Sequence, residues 1–180
     1  MRSVKRWPTS YAVYVRNDGQ QAAGSKCRKT RCLGPPMRTL QFDTSVLSIA
    51  CEISGPENGA PVILLHGWPD DARTWDRVLP ALHAVGRQTY VPYLRGFGPT
   101  RFRDRSIARS GQLSALGQDV IDLADAIGLE RFAVVGHDWG ARAAYIAAVL
   151  APGRVTHCVA VSVGWGTNDP RAQRRPSPKS

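Results

Sequence analysis

Apolar residues fall into two alternating patterns along the chain. The continuous apolar run Pro61-Val62-Ile63-Leu64-Leu65 predicts a strand buried on both faces, and Phe132 to Val135 and Val155–Val163 predict two further strands. Thr89 to Leu94 is a further strand candidate, interrupted by Pro92. Leu40–Phe42 and Val46–Ile53, joined at Asp43-Thr44-Ser45, predict an antiparallel hairpin at a sheet edge. Between these runs the spacing becomes helical. Leu113, Leu116, Val120, Leu123 and Ile127 form one stripe that ends at Gly128, and Asp119, Asp122 and Asp125 beside it read as a solvated face. Trp75, Val78, Leu79 and Leu82 predict a shorter helix, and the alanine-rich Ala141–Leu150 a buried one. Gly55–Ala60 and Arg95-Gly96-Phe97-Gly98-Pro99 read as loops, and 101–112 as polar and exposed. Strands alternating with helices imply an α/β fold, a mostly parallel sheet with helices on both faces.

Charge divides the chain differently. The formal net charge is +10, but residues 1–36 hold eight Lys and Arg against one acid, and residues 171–180 hold four against none. Residues 37–170 are close to neutral, so the domain itself gives no nucleic-acid signature. The expected organisation is a basic disordered extension over 1–36, a domain over 37–170 and a basic disordered tail over 171–180. Pro8, Gly19, Gly24, Gly34, Pro35 and Pro36 break the extension up, and Met37 is the expected natural start of the domain. Its apolar stretch Tyr11–Val15 is too short for a signal-peptide core or a membrane span. Cys27 and Cys32 lack zinc-ligand spacing, while Cys51 and Cys158 sit in strand-like runs as small hydrophobes. No metal, cofactor or disulfide framework is expected, in keeping with a reducing cytoplasm.

The chemistry concentrates at Val134-Val135-Gly136-His137-Asp138-Trp139-Gly140-Ala141, a strand, a tight turn and a helix. Small residues two before and two after the apex allow strand and helix to approach, and the apex side chain is held above the sheet edge. This is the nucleophile-elbow pattern G-x-S-x-G with aspartate at the apex. A serine there needs a base to remove its proton, whereas an aspartate is ordinarily ionised at neutral pH. A carboxylate suits displacement at the electrophilic carbon of an epoxide or alkyl halide, giving an ester on Asp138. The blander reading is that Asp138 caps the following helix.

A second motif, His66-Gly67-Trp68-Pro69, ends the buried strand at 61–65, at the sheet edge where open α/β folds place their sites. Gly67 permits a tight turn and Pro69 fixes the chain, so the backbone N–H of Trp68 can face the elbow. With the N–H of Trp139 it would form an oxyanion hole. His66 reads as structural, His137 as turned away from the site, and His83 and His157 as packing or surface residues.

His66-Gly67-Trp68-Pro69, Arg95-Gly96-Phe97-Gly98 and Gly136-His137-Asp138-Trp139-Gly140 together resemble the α/β-hydrolase superfamily, in its epoxide hydrolase and haloalkane dehalogenase branch, over about residues 38–170. The resemblance implies the N-terminal part of that fold, incomplete at its C-terminal side. It also implies Asp138 as nucleophile and Trp68 and Trp139 as backbone oxyanion donors. The implied substrate is a small epoxide or organohalide. Trp68 stands where dehalogenases often carry asparagine, which favours the epoxide hydrolase side.

Such enzymes also use a helical cap, a second acid and a late histidine that activates water against the ester. No histidine follows His157 and no aspartate follows Asp169. The sequence therefore reads as a truncated hydrolase, with a frameshift near Pro170 as one origin. On that reading Val155–Val163 is an open apolar edge prone to aggregation, and the ester on Asp138 forms but is not released. A rival of another class is a non-catalytic relic whose basic tails bind acidic partners, RNA or a membrane surface.

Overall fold

The structure is a computed structural model and describes residues 37–162. The expectations for the 1–36 extension with Cys27 and Cys32, for Val163 through Asp169 and Pro170, and for the 171–180 tail lie outside them.

Seven strands form one sheet: β1 (Arg38–Asp43), β2 (Leu47–Ser54), β3 (Ala60–Leu65), β4 (Arg87–Pro92), β5 (Arg101–Phe102), β6 (Phe132–His137) and β7 (Val155–Val161). Their order is β1-β2-β4-β3-β6-β7, with β5 beside β2. β1, β4 and β5 all run antiparallel to β2, while β4, β3, β6 and β7 are mutually parallel. The expected edge hairpin is therefore present. Thr44 closes its turn, its hydroxyl accepting from Leu47 N–H at 2.9 Å.

The helices are α1 (Leu79–Ala84), α2 (Leu113–Ile127) and α3 (Trp139–Leu150). One core cluster joins the sheet to α2 and α3 through Ile63, Leu65, Leu116, Leu123, Ala143 and Ala147. A second, on the opposite face, joins Val62, Leu64 and Val91 to Trp75 and Leu79. Side chains alternate across β3, so both faces of its continuous apolar run are buried. Among the described residues no helix is long and apolar enough to cross a membrane.

The structure corrects several local expectations. The helix read from Trp75 to Leu82 is two pieces, a 3-10 turn Ala72–Trp75 capped by Asp71 and then α1, with a proline in the first turn of α1. Pro92 ends β4 and does not interrupt it, so its missing N–H costs the sheet little. The polar segment after Pro99 contributes β5, and Arg109 lies over the Phe102 ring at 4.4 Å. Asp119 is not on a solvated face. It is buried and paired with Arg95, whereas Asp122 and Asp125 lie toward solvent. Burial raises the Cys158 thiol to about 11 and the Cys51 thiol further, so both behave as hydrophobes.

Candidate active site

The elbow forms because β6 and α3 meet with no room for side chains between them. A Cβ on Gly136 would overlap the carbonyl of Gly140 and come within 2.5 Å of Ala141 N; one on Gly140 would overlap the carbonyl of Leu65 and lie 2.6 Å from that of His66. All of these obstacles are backbone and cannot rotate away. Gly140→Ala is therefore expected to destabilise the chain by about 2–3 kcal/mol, read as a shift of the urea midpoint.

Asp138 stands at the apex with φ 51° and ψ −113°, a conformation L-residues avoid. Such strain costs on the order of 1–3 kcal/mol and persists only where its surroundings hold it. The Asp138 side chain does not cap α3, which removes the helix-capping reading. Its Oδ2 instead accepts the backbone N–H of Trp68 at 3.1 Å. Gly67 allows this approach, since a Cβ there would stand 2.6 Å from Asp138 Cβ. Trp139 opens α3, and among the described residues its N–H makes no protein hydrogen bond. Trp68 and Trp139 are 66% and 43% exposed, two large apolar residues open to solvent next to the Trp68–Asp138 hydrogen bond and in the chain beside Asp138. The Trp68–Pro69 peptide is cis.

His66 is fully buried and both ring nitrogens are engaged. Nε2 lies 3.1 Å from the N–H of Leu94 and must accept, so the proton is on Nδ1, which donates to Gly67 O at 2.9 Å. That carbonyl belongs to the same trans peptide plane as the N–H of Trp68, which points the opposite way. Orienting one fixes the other, so His66 aims the donor that reaches Asp138. Burial holds the imidazole below its usual value of 6.5. Below pH 6.5 the unfolded chain takes up the proton first. The stability contributed by neutral His66 is thus present above 6.5 and lost as pH falls toward the depressed folded value. Urea midpoints are expected to fall from pH 7.5 to pH 5.5, and more weakly after His66→Asn.

The other histidines are placed as follows. His137 has its Nδ1 3.7 Å from Asp70 Oδ2, facing the loop after Pro69, and no hydrogen bond links it to Asp138. His83 bonds Ser54 and Thr89 at 3.2 and 3.0 Å. His157 is exposed on β7. Among the described residues none is hydrogen-bonded to Asp138.

Sequence reasoning missed the loop after β4 as part of the site. The Phe97 ring stands edge-on to His66 at 4.8 Å and to Trp68 at 6.0 Å. Buried Thr100 pins the loop, accepting Ala50 N–H and donating to Tyr93 O. An aromatic between two glycines was the available signal.

This geometry agrees with the comparison with known proteins, in which the alpha/beta hydrolase fold family matches residues 60–177. The chain belongs to that family. It is 36% identical over 132 residues to Epoxide hydrolase B of Mycobacterium tuberculosis, covering 69% of this chain and 36% of that one. It is 36% identical over 146 residues to Epoxide hydrolase A of the same organism, covering 81% and 43%. A crystal structure of a candidate epoxide hydrolase from Klebsiella pneumoniae superposes with a TM-score of 0.65 at 45% identity, covering 67% of this chain and 40% of that one. This α/β hydrolase therefore spans about two fifths of the length of the curated relatives it matches.

Proposed function

We propose that Asp138 is the nucleophile of an epoxide-opening hydrolase, attacking a ring carbon to form an alkyl ester. One observation carries the reading: a strained aspartate at the elbow apex, leaving the helix uncapped and reached at 3.1 Å by the N–H of Trp68. In the attack a carboxylate oxygen forms the C–O bond, the epoxide C–O bond breaks, and the departing alkoxide takes a proton from solvent. Hydrolysis would begin with water adding to the ester carbonyl, and the oxyanion that forms would be held by the N–H groups of Trp68 and Trp139. The relatives named above as epoxide hydrolases support epoxide over organohalide.

No described histidine is available to activate that water, so the 180-residue polypeptide by itself accumulates the ester. Intact-mass spectrometry after incubation with styrene oxide tests this. One added equivalent of epoxide, located on Asp138 by peptide mapping, is expected. The same incubation with a primary alkyl bromide reports the dehalogenase alternative. Absence of any adduct from either reagent overturns the nucleophile reading, and repeated turnover overturns the accumulation.

A further inference from the structure

Asp119 and Arg95 form an ion pair that shares no hydrogen bond with Asp138. Both side chains are about nine-tenths buried. Arg95 Nε and Nη2 each donate to the Asp119 carboxylate at 2.6 Å, in the two-pronged geometry that fixes a guanidinium in plane. Its remaining contacts are to Ser110 O at 2.8 Å and Ala115 O at 3.3 Å. One side chain thus ties the loop after β4 to the start and middle of α2.

That loop bears on the site at two points. The N–H of Leu94, the residue before Arg95, holds His66 Nε2, and Phe97, two residues after Arg95, packs on His66 and Trp68. His66 in turn sets the Gly67–Trp68 peptide plane. We infer that the Asp119–Arg95 pair is a positioning device, holding the loop so that the N–H of Trp68 meets Asp138. The inference rests on the proposed role of Asp138 as nucleophile. The polar contacts of both side chains go to protein groups other than Asp138, so the pair's contribution is to geometry, where a misplacement of about 1 Å costs on the order of 10²-fold in rate.

The test uses the full 180-residue chain and styrene oxide, following ester formation by intact mass across epoxide concentrations. Asp119→Asn keeps the shape and one acceptor but removes the charge and the matched fork. Its limiting rate per folded molecule is expected to fall about tenfold or more, with the half-saturating concentration changed less than about twofold. Leu116→Ala weakens the same helix without touching the pair and is expected to alkylate at the unmodified chain's rate. A role in stability alone predicts equal rates per folded molecule in both variants. Where Asp119→Asn is not recovered folded, Arg95→Lys makes the same comparison, since it keeps a cation and loses the fork.

An undiminished limiting rate in Asp119→Asn, or in Arg95→Lys where that stands in, overturns the inference and leaves the nucleophile in place. So does an equal loss in Leu116→Ala. Failure of the unmodified chain to form any adduct overturns both.

Discussion

Asp138→Asn is expected to abolish the styrene oxide adduct while leaving the fold intact. The amide is uncharged, and its nitrogen lone pair is delocalised into the carbonyl, so it does not open an epoxide. Asparagine has the size of aspartate and retains an oxygen for the N–H of Trp68, and it tolerates positive φ better than most residues. The lost charge at the start of α3 and the weaker, neutral bond from Trp68 are expected to lower its stability by about 1–2 kcal/mol, read as a modest fall of the urea midpoint. Asp138→Gly separates the two effects further. It relieves a strain on the order of 1–3 kcal/mol and adds about 0.5–1 kcal/mol of backbone entropy cost. It also gives up the bond from Trp68 and the charge before α3, so its stability is expected within about 1 kcal/mol of that of Asp138→Asn, with no adduct in either. A mass increment that persists in both variants places the alkylation elsewhere.

Asp119→Ala is expected to cost about 3–5 kcal/mol, because it leaves the buried guanidinium of Arg95 without its counter-charge. A domain of this kind has about 5–15 kcal/mol in all, so the variant stands near the limit of folding. Asp122→Ala, one turn along the same helix, removes only an exposed bond from Gln118 and stays within about 0.5 kcal/mol. The pair is not equally valuable as a whole. Burial pushes the Asp119 carboxyl upward despite the opposing pull of Arg95, so desolvation is incompletely repaid. Arg95→Met with Asp119→Leu should therefore be milder than either single change. Equilibrium urea unfolding of these variants beside the unmodified chain checks the ordering; Asp119→Ala equal to Asp122→Ala refutes it.

The same pair shows where sequence patterning fails. Helical spacing located α2 well, because its stripe from Leu113 to Ile127 is nearly unbroken. It put Asp119 outside because acids beside a stripe normally face water. Yet Asp119 is three residues beyond Leu116 and four before Leu123, on the shoulder of the stripe. Which way a shoulder residue faces depends on a partner, and Arg95 is 24 positions away. β3 and the elbow were legible because their requirements are local, a strand buried twice and two glycines that backbone contact demands. His66 was read as structural, and its two hydrogen bonds agree. Its influence on Trp68 was not legible, since it passes through the orientation of one peptide plane. Pro80 and Pro92 were locally ambiguous, each fitting the start or end of an element as well as a break within it.

Asp138 immediately precedes the first turn of α3 and carries its charge where the helix presents unpaired N–H groups. A negative charge at that end is favourable by about 0.3–1 kcal/mol. A hydrogen bond to a charged acceptor, as Trp68 makes, is worth about 1.5–3 kcal/mol against about 0.5–1.5 kcal/mol for a neutral one. The proposed esterification would erase the charge, and with it the first contribution and the excess of the charged bond over a neutral one. On the proposed mechanism the fold would hold its free carboxylate more tightly than the alkylated form, so folding energy would oppose the covalent intermediate. Any agent that delivers water to the ester works with that gradient, because hydrolysis restores the anion the scaffold is built to hold.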